Sequence, residues 1–302
     1  MVREPSATID QLARAYFALC SWEFSREDDI QNTGRGLVRA LGSIVADLPP
    51  GGELIIQPDG DMAHIPWSSL PISDGAILVD RVVPVVWPLP LGRSQNRTGP
   101  PASVRMLVVG ADYLSPVRAH DLRPIPALDA ELAAAASLMP ESRVLRGQDA
   151  TAFNIEHYLA KASVLHFAGH AFSSPDGVSL ITAPDPSMHG ENSDVWHPSH
   201  NLCSGLTLAV FSACSTAKYE EIDTIAPQNL ANEFLLAGTS QVVAARWNVD
   251  SKVTTDFMEE FYRGLHSGAS TAYALQKAEL SIRSRPGSHH PFFWAAFTFF
   301  GR

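Results

Sequence analysis

The chain has 302 residues, 45% hydrophobic and 18% charged, with a formal net charge of −10. That composition supports a full globular core in one large domain or two small ones. It argues against a nucleic-acid surface, because no Lys/Arg cluster supplies the basic footprint that phosphates require. No apolar run approaches the roughly 20 residues that span a bilayer.

In chain order, residues 6–20 predict an amphipathic helix, with Ile9, Leu12, Ala13, Tyr16, Phe17 and Cys20 on one face. The acidic run Glu27-Asp-Asp29 reads as a solvated turn. A second helix is expected at 35–47, stopped by Pro49-Pro-Gly-Gly52. Strands are expected at 53–57, 77–79 and 82–86, with Pro84 marking the last as an edge or irregular strand. The polar stretch 92–103 reads as a surface linker and a subdomain boundary.

Beyond it the pattern alternates strand and helix. Strands are expected at 104–109, 144–145, 164–167, 178–182, 206–212, 241–245 and 293–300. Helices are expected at 127–138, 151–160, 229–237, 252–265 and 270–283, with Gly238 placed to end the third of these. Unbroken apolar strands between helices predict a mostly parallel sheet covered on both faces. Residues 183–202 and 215–228 read as long loops, which in a compact domain are usually functional.

Two of these strands end in chemistry. Val164-Leu-His-Phe-Ala-Gly-His170 runs into a histidine, and Leu208-Ala-Val-Phe-Ser-Ala-Cys214 into a cysteine. In an open parallel sheet, ligands bind beyond the carboxyl ends of the strands. Neighbouring strands lie about 4.8 Å apart, so adjacent tips bring a thiol and its base within reach of proton transfer. Ser212, Ala213, Ser215 and Thr216 leave the sulfur open to a substrate. Gly169 is read as allowing a tight bend before His170. The backbone N–H groups of Ala171 and Cys214 are read as turn donors to a developing oxyanion. Singly, a cysteine or histidine ending a buried strand is usually structural; the matched pair favours a site.

Other readings are weaker. His166 and His170 form H-x-x-x-H, which holds zinc on a helix; in a strand interrupted by Gly169 the four-residue step is not expected to give a common face, so no metal is assigned. No G-x-S-x-G, P-loop or G-x-G-x-x-G is present, and no cofactor is called for. Cys20, Cys203 and Cys214 do not read as a disulfide framework, and no signal-peptide pattern is visible, so a soluble cytoplasmic protein is expected.

Five ordered motifs then carry a resemblance. His166-Phe-Ala-Gly-His170, Phe211-Ser-Ala-Cys214-Ser-Thr-Ala, Phe234-Leu-Leu-Ala-Gly238, Val242-Val-Ala-Ala-Arg-Trp-Asn-Val-Asp250 and His290-Pro-Phe-Phe-Trp-Ala-Ala-Phe297 resemble the CHAT domain, a caspase- and separase-related group of cysteine peptidases. Pro58-Asp-Gly-Asp-Met-Ala-His-Ile-Pro-Trp67 is similar to that family's N-terminal segment. The separation of 44 residues between His170 and Cys214 is close to the roughly 50 of caspases. The resemblance implies a caspase-like αβα sandwich around a mostly parallel sheet, with an N-terminal helical and β subdomain. The expected division is a helical segment at 1–50 and a CHAT domain at 51–302, split into a β-rich part at 51–100 and a peptidase core at 101–302. It further implies His170 as base, Cys214 as nucleophile, and the Ala171 and Cys214 amides as oxyanion donors.

The family's usual glycine after the histidine is Ala171 here. The substrate is expected to be a protein or peptide. The resemblance also implies an activating sensor or repeat-containing partner and a role in bacterial defence or regulated proteolysis. A peptidase-like fold serving only as a binding module is the alternative. For the pocket, Asp176, Ser212, Arg246 and Trp247 are candidates. Asp176 favours a basic substrate residue and Arg246 an acidic one, so specificity stays open. Asp176 also reads as a turn residue, and Trp247 as core packing.

Overall fold

Four apolar runs form the middle of one parallel sheet in the computed structural model, which describes residues 6–42, 48–72, 75–87, 105–122, 124–139, 141–174, 177–188, 193–213, 227–247 and 251–301. These runs are β3 (Arg105–Gly110), β5 (Val164–Ser174), β8 (Leu208–Ala213) and β9 (Gln241–Ala245). Most of their described side chains are buried, on both faces, which is why they read as continuous rather than alternating apolar stretches. With β1 (Glu53–Ile56), β2 (Val83–Val86), β4 (Glu141–Arg146) and β10 (Phe297–Gly301), the order is β1-β2-β10-β9-β8-β5-β3-β4. Only the β9–β10 pairing along this path is antiparallel. β6 (Gly177–Ile181) and β7 (Val195–Trp196) extend β5 as an antiparallel side sheet.

Helices cover both faces. On one, Glu131 of α4 (Leu128–Ser137) and Tyr262 of α8 (Ser251–His266) close over His166 of β5. On the other, Phe234 of α7 (Pro227–Leu236) packs against Phe211 of β8 and Trp196 of β7. α5 (Ala152–Leu159) is capped by the Thr151 hydroxyl, which accepts from Asn154 N. Gly238, at φ 102°, ends α7 as expected, because only glycine adopts that conformation cheaply. Among the described residues, no helix is long and apolar enough to cross a membrane.

Several elements differ from expectation. The second helix, α2 (Glu27–Leu41), starts eight residues early. Glu27, Asp28 and Asp29 form its first turn, where carboxylates favour the positive end of the helix dipole. Gly34 in its interior obscures the helix in the sequence. It is there for packing: a Cβ would sit 2.5 Å from Pro71 Cδ. The helix ends at Gly42, and 43–47 lie outside the described residues.

The run at 77–79 is not a strand. Leu78–Asp80 is a single 3₁₀ turn, closed by the Asp80 carboxylate accepting from Ile77 N. Pro84 does not mark an edge either, since β2 lies between β1 and β10. β2 meets β10 only at Val86–Phe300, so no ladder to β10 is required at the proline. The last strand is shorter than expected. Residues 291–294 form a helical turn, α10 (Pro291–Trp294), with Pro291 at its first position and His290 Nδ1 accepting from Phe292 N. The loop at 183–202 contains β7 and the short helix α6 (His200–Cys203). The 92–103 segment lies outside the described residues, as do 189–192 and 215–226 of the two long loops.

Candidate active site

β5 and β8 are neighbours, in register from Val164–Leu208 to Gly169–Ala213. Among the described residues, Gly169–Ala213 is the last rung between β5 and β8, and His170 is the next residue of β5. Its side chain is 1% exposed. Past Gly169 the strand does not bend away. It continues through Ser174, with His170 opposite Ile181 and Ala171 opposite Leu180 of β6.

This corrects two local expectations. Gly169 does not supply a tight turn; its role is space. A Cβ there would lie 2.7 Å from Phe167 Cε1 and 3.0 Å from Ala111 Cβ. Ala171 is buried in an antiparallel ladder rather than held in a turn. Ser212 is half-buried on β8, paired with Ala168.

The continuity of β5 also changes the reading of His166. Side chains alternate along a strand, so positions 166, 168 and 170 share one face. The imidazole of His166 is fully buried and occupied elsewhere. Nδ1 lies 2.8 Å from Tyr262 Oη. Nε2 lies 3.3 Å from Glu131 Oε1, a close contact without hydrogen-bond alignment. Burial, with the Glu131 charge second, holds the Tyr262 hydroxyl well above its ordinary range. Among the described residues no three His, Cys, Asp or Glu side chains gather as a metal site.

Arg246 and Trp247 follow β9 on the same edge of the sheet. The Arg246 guanidinium is enclosed at 2% exposure. Nε donates to Thr298 Oγ1 at 2.5 Å and Nη1 to the Ala63 carbonyl at 2.9 Å. Burial pulls this group down to about 9 and pushes Glu279, its electrostatic partner, up to about 8. The expected substrate-facing cation is therefore an internal tie. It fixes the 3₁₀ turn Gly60–His64 to the ends of β9 and β10. Trp247 is core: its Nε1 donates to Phe292 O, and its ring meets Phe17 edge-on at 5.8 Å.

His64 enters the same region. It packs edge-on against Phe17 at 5.7 Å, and burial, followed by the Arg246 charge, lowers its pKa. Asp61 in the same turn pairs with Arg14 of α1 (Ser6–Cys20). The sequence marks this turn only as part of a motif. Nothing in it marks Arg118, which lies over the ring of Phe172 in β5.

Cys214 and Asp176 lie outside the described residues. The other two cysteines are buried, and burial raises Cys20 to about 12 and Cys203 to about 11. Neither is a thiolate at neutral pH, so neither is a competent nucleophile.

The CHAT domain family model matches residues 31–302. No curated protein matches. Similar solved structures include the separase–securin complex of Saccharomyces cerevisiae, at 14% identity over 78% of this chain and 15% of the other, with a TM-score of 0.42. The complex of Porphyromonas gingivalis RgpB pro- and mature domains is similar at 11% identity over 98% and 76%, with a TM-score of 0.45. The Arg-specific cysteine proteinase gingipain R is similar at 11% identity over 98% and 73%, with a TM-score of 0.42. The chain spans 15% of the separase-complex chain to which it is matched.

Proposed function

Because the chain belongs to the CHAT domain family, matched over residues 31–302, we propose that it is a cysteine endopeptidase with Cys214 as nucleophile and His170 as base. The observation that carries this reading is the Gly169–Ala213 rung. His170 is the next residue of β5, and Cys214 follows Ala213 in the sequence.

The chemistry follows from the two groups. His170 takes the Cys214 proton, and the thiolate attacks a peptide carbonyl. The carbonyl carbon gains a C–S bond, and its oxygen becomes an oxyanion. When the C–N bond breaks, the imidazolium gives its proton to the leaving amine. Water, deprotonated by His170, then hydrolyses the thioester and restores the thiol. The Ala171 and Cys214 amides are the proposed oxyanion donors. Peptides or proteins are the substrates. Activation by a sensor or repeat-bearing partner and a role in bacterial defence complete the proposal, on the family resemblance alone.

Ala171 favours a second reading. Its place in the β5–β6 ladder differs from the flexible turn expected of an oxyanion donor, as suits a binding module without activity. Cleavage of a peptide library by wild type beside Cys214→Ala separates the two readings. Products from wild type alone support the peptidase. Equal products from both sink the Cys214 assignment, and no products from either favour the binding module.

A further inference from the structure

Arg118 lies on α3 (Pro116–Asp121), in the connection that follows β3 on the carboxyl edge of the sheet. Its guanidinium carbon is 5.0 Å from the centroid of the Phe172 ring. Phe172 is two residues beyond His170 on β5, so the two side chains share a face about 7 Å apart along the strand. A guanidinium is thus held on the His170 side of β5.

Two contacts fix its orientation. The aromatic face supports the planar cation from one side. Asp194 Oδ2 lies 3.7 Å from Nε, and the same oxygen accepts from Ser115 Oγ at 2.6 Å. These contacts use one face and the Nε end of the group. The terminal edge carries further N–H donors in the fork that matches a carboxylate. Exposure decides which charge an incoming chain meets. The Arg118 side chain is 32% exposed, while that of Asp194 is 4% exposed. The carboxylate is the buried support, and the arginine is the partner whose side chain is partly open to solvent. Arg246, the cation suggested by the sequence, is enclosed and committed to Thr298 and Ala63.

We propose that Arg118 is a substrate-binding residue whose guanidinium receives an acidic side chain flanking the scissile bond, a step that rests on the peptidase reading above. The competing role is a clamp that only fastens α3 to β5 and β7. Cleavage of paired peptides differing by Glu or Gln at each position around the scissile bond distinguishes the two. Wild type, Arg118→Gln and Arg118→Lys are compared by kcat/KM.

At one position, wild type is expected to prefer Glu over Gln by about tenfold or more, the scale of a charge-assisted hydrogen bond. Arg118→Gln lowers kcat/KM for the Glu peptide at least tenfold more than for the Gln peptide, and Arg118→Lys restores part of the preference. Equal loss on both peptides establishes the clamp and overturns the proposal. Cleavage by wild type without acidic preference overturns it while leaving the peptidase reading standing. No cleavage of any peptide by wild type overturns both.

Discussion

Gly169 of β5 and Ala213 of β8 are partners in the last described rung of the parallel ladder between the two strands. Everything proposed for His170 and Cys214 starts from that rung, because His170 is the next residue of β5 and Cys214 follows Ala213 in the sequence. If the dyad acts as a unit, Cys214→Ala and His170→Ala should each lower kcat/KM by about a thousandfold or more, and the double variant by little beyond that. Additive losses measured on one peptide would show that the two residues act separately.

The three cysteines should differ sharply in reactivity. Cys20 and Cys203 are buried, with thiols pushed up to about 12 and about 11. Brief treatment with iodoacetamide at pH 7 is expected to add one group, at Cys214; after unfolding all three react. Peptide mass mapping reads the sites. Fast labelling of Cys20 or Cys203 in the folded protein contradicts their inert assignment.

Gly169→Ala tests why glycine precedes the histidine. The new methyl would press on the Phe167 ring and on Ala111. Overpacking of this kind costs about 1–3 kcal/mol. A lowered Tm with reduced activity is expected. A variant as stable and active as wild type would show that the close contacts relax freely.

His166 is predicted to be structural. Its removal leaves the buried Glu131 carboxylate without the imidazole 3.3 Å away, at a cost of about 1–3 kcal/mol. His166→Ala should therefore lower the denaturant midpoint strongly. Pairing it with Glu131→Leu should recover much of the loss, because the orphaned carboxylate is gone. No recovery in the double variant means that the 3.3 Å contact is not the relevant interaction.

Stability should fall as pH drops below about 6.5, in part through His64. Burial, then the Arg246 charge, holds its folded pKa below 6.5. The unfolded chain therefore takes up the proton first. The associated stability is present above 6.5 and lost as pH falls through the folded value. His64→Gln should flatten the decline of Tm between pH 7 and pH 5 relative to wild type. Parallel curves for the two proteins would remove His64 from the acid response. His290, whose pKa burial also lowers, supplies part of the remaining slope.

The central strands were legible because burial on both faces makes them apolar throughout, as in Val242–Ala245. The ends of α5 and α7 were legible through Thr151 and Gly238, whose local chemistry needs no distant partner. The miss at 77–79 has a physical cause: three buried apolar residues fit a strand or a helical turn equally. The extension of β5 past Gly169 was hidden because glycine reads as a breaker, while its cause is the Phe167 ring and Ala111.

The pocket residues were least legible. Arg246 looked exposed at a strand end, yet Thr298 and Ala63, distant in sequence, enclose it. Arg118 carries no motif, and its position depends on Phe172 and Asp194 from other elements. Such roles arise from tertiary placement, which local pattern does not encode.

The most direct measurement is the site of attachment of a peptide that ends in an electrophilic ketone, mapped by peptide mass spectrometry in wild type and His170→Ala. The dyad predicts a single adduct on Cys214 that forms at least about a hundredfold more slowly without His170, the scale of positioned acid–base assistance. An adduct on any other residue, or one on Cys214 that forms equally fast in both proteins, would contradict it.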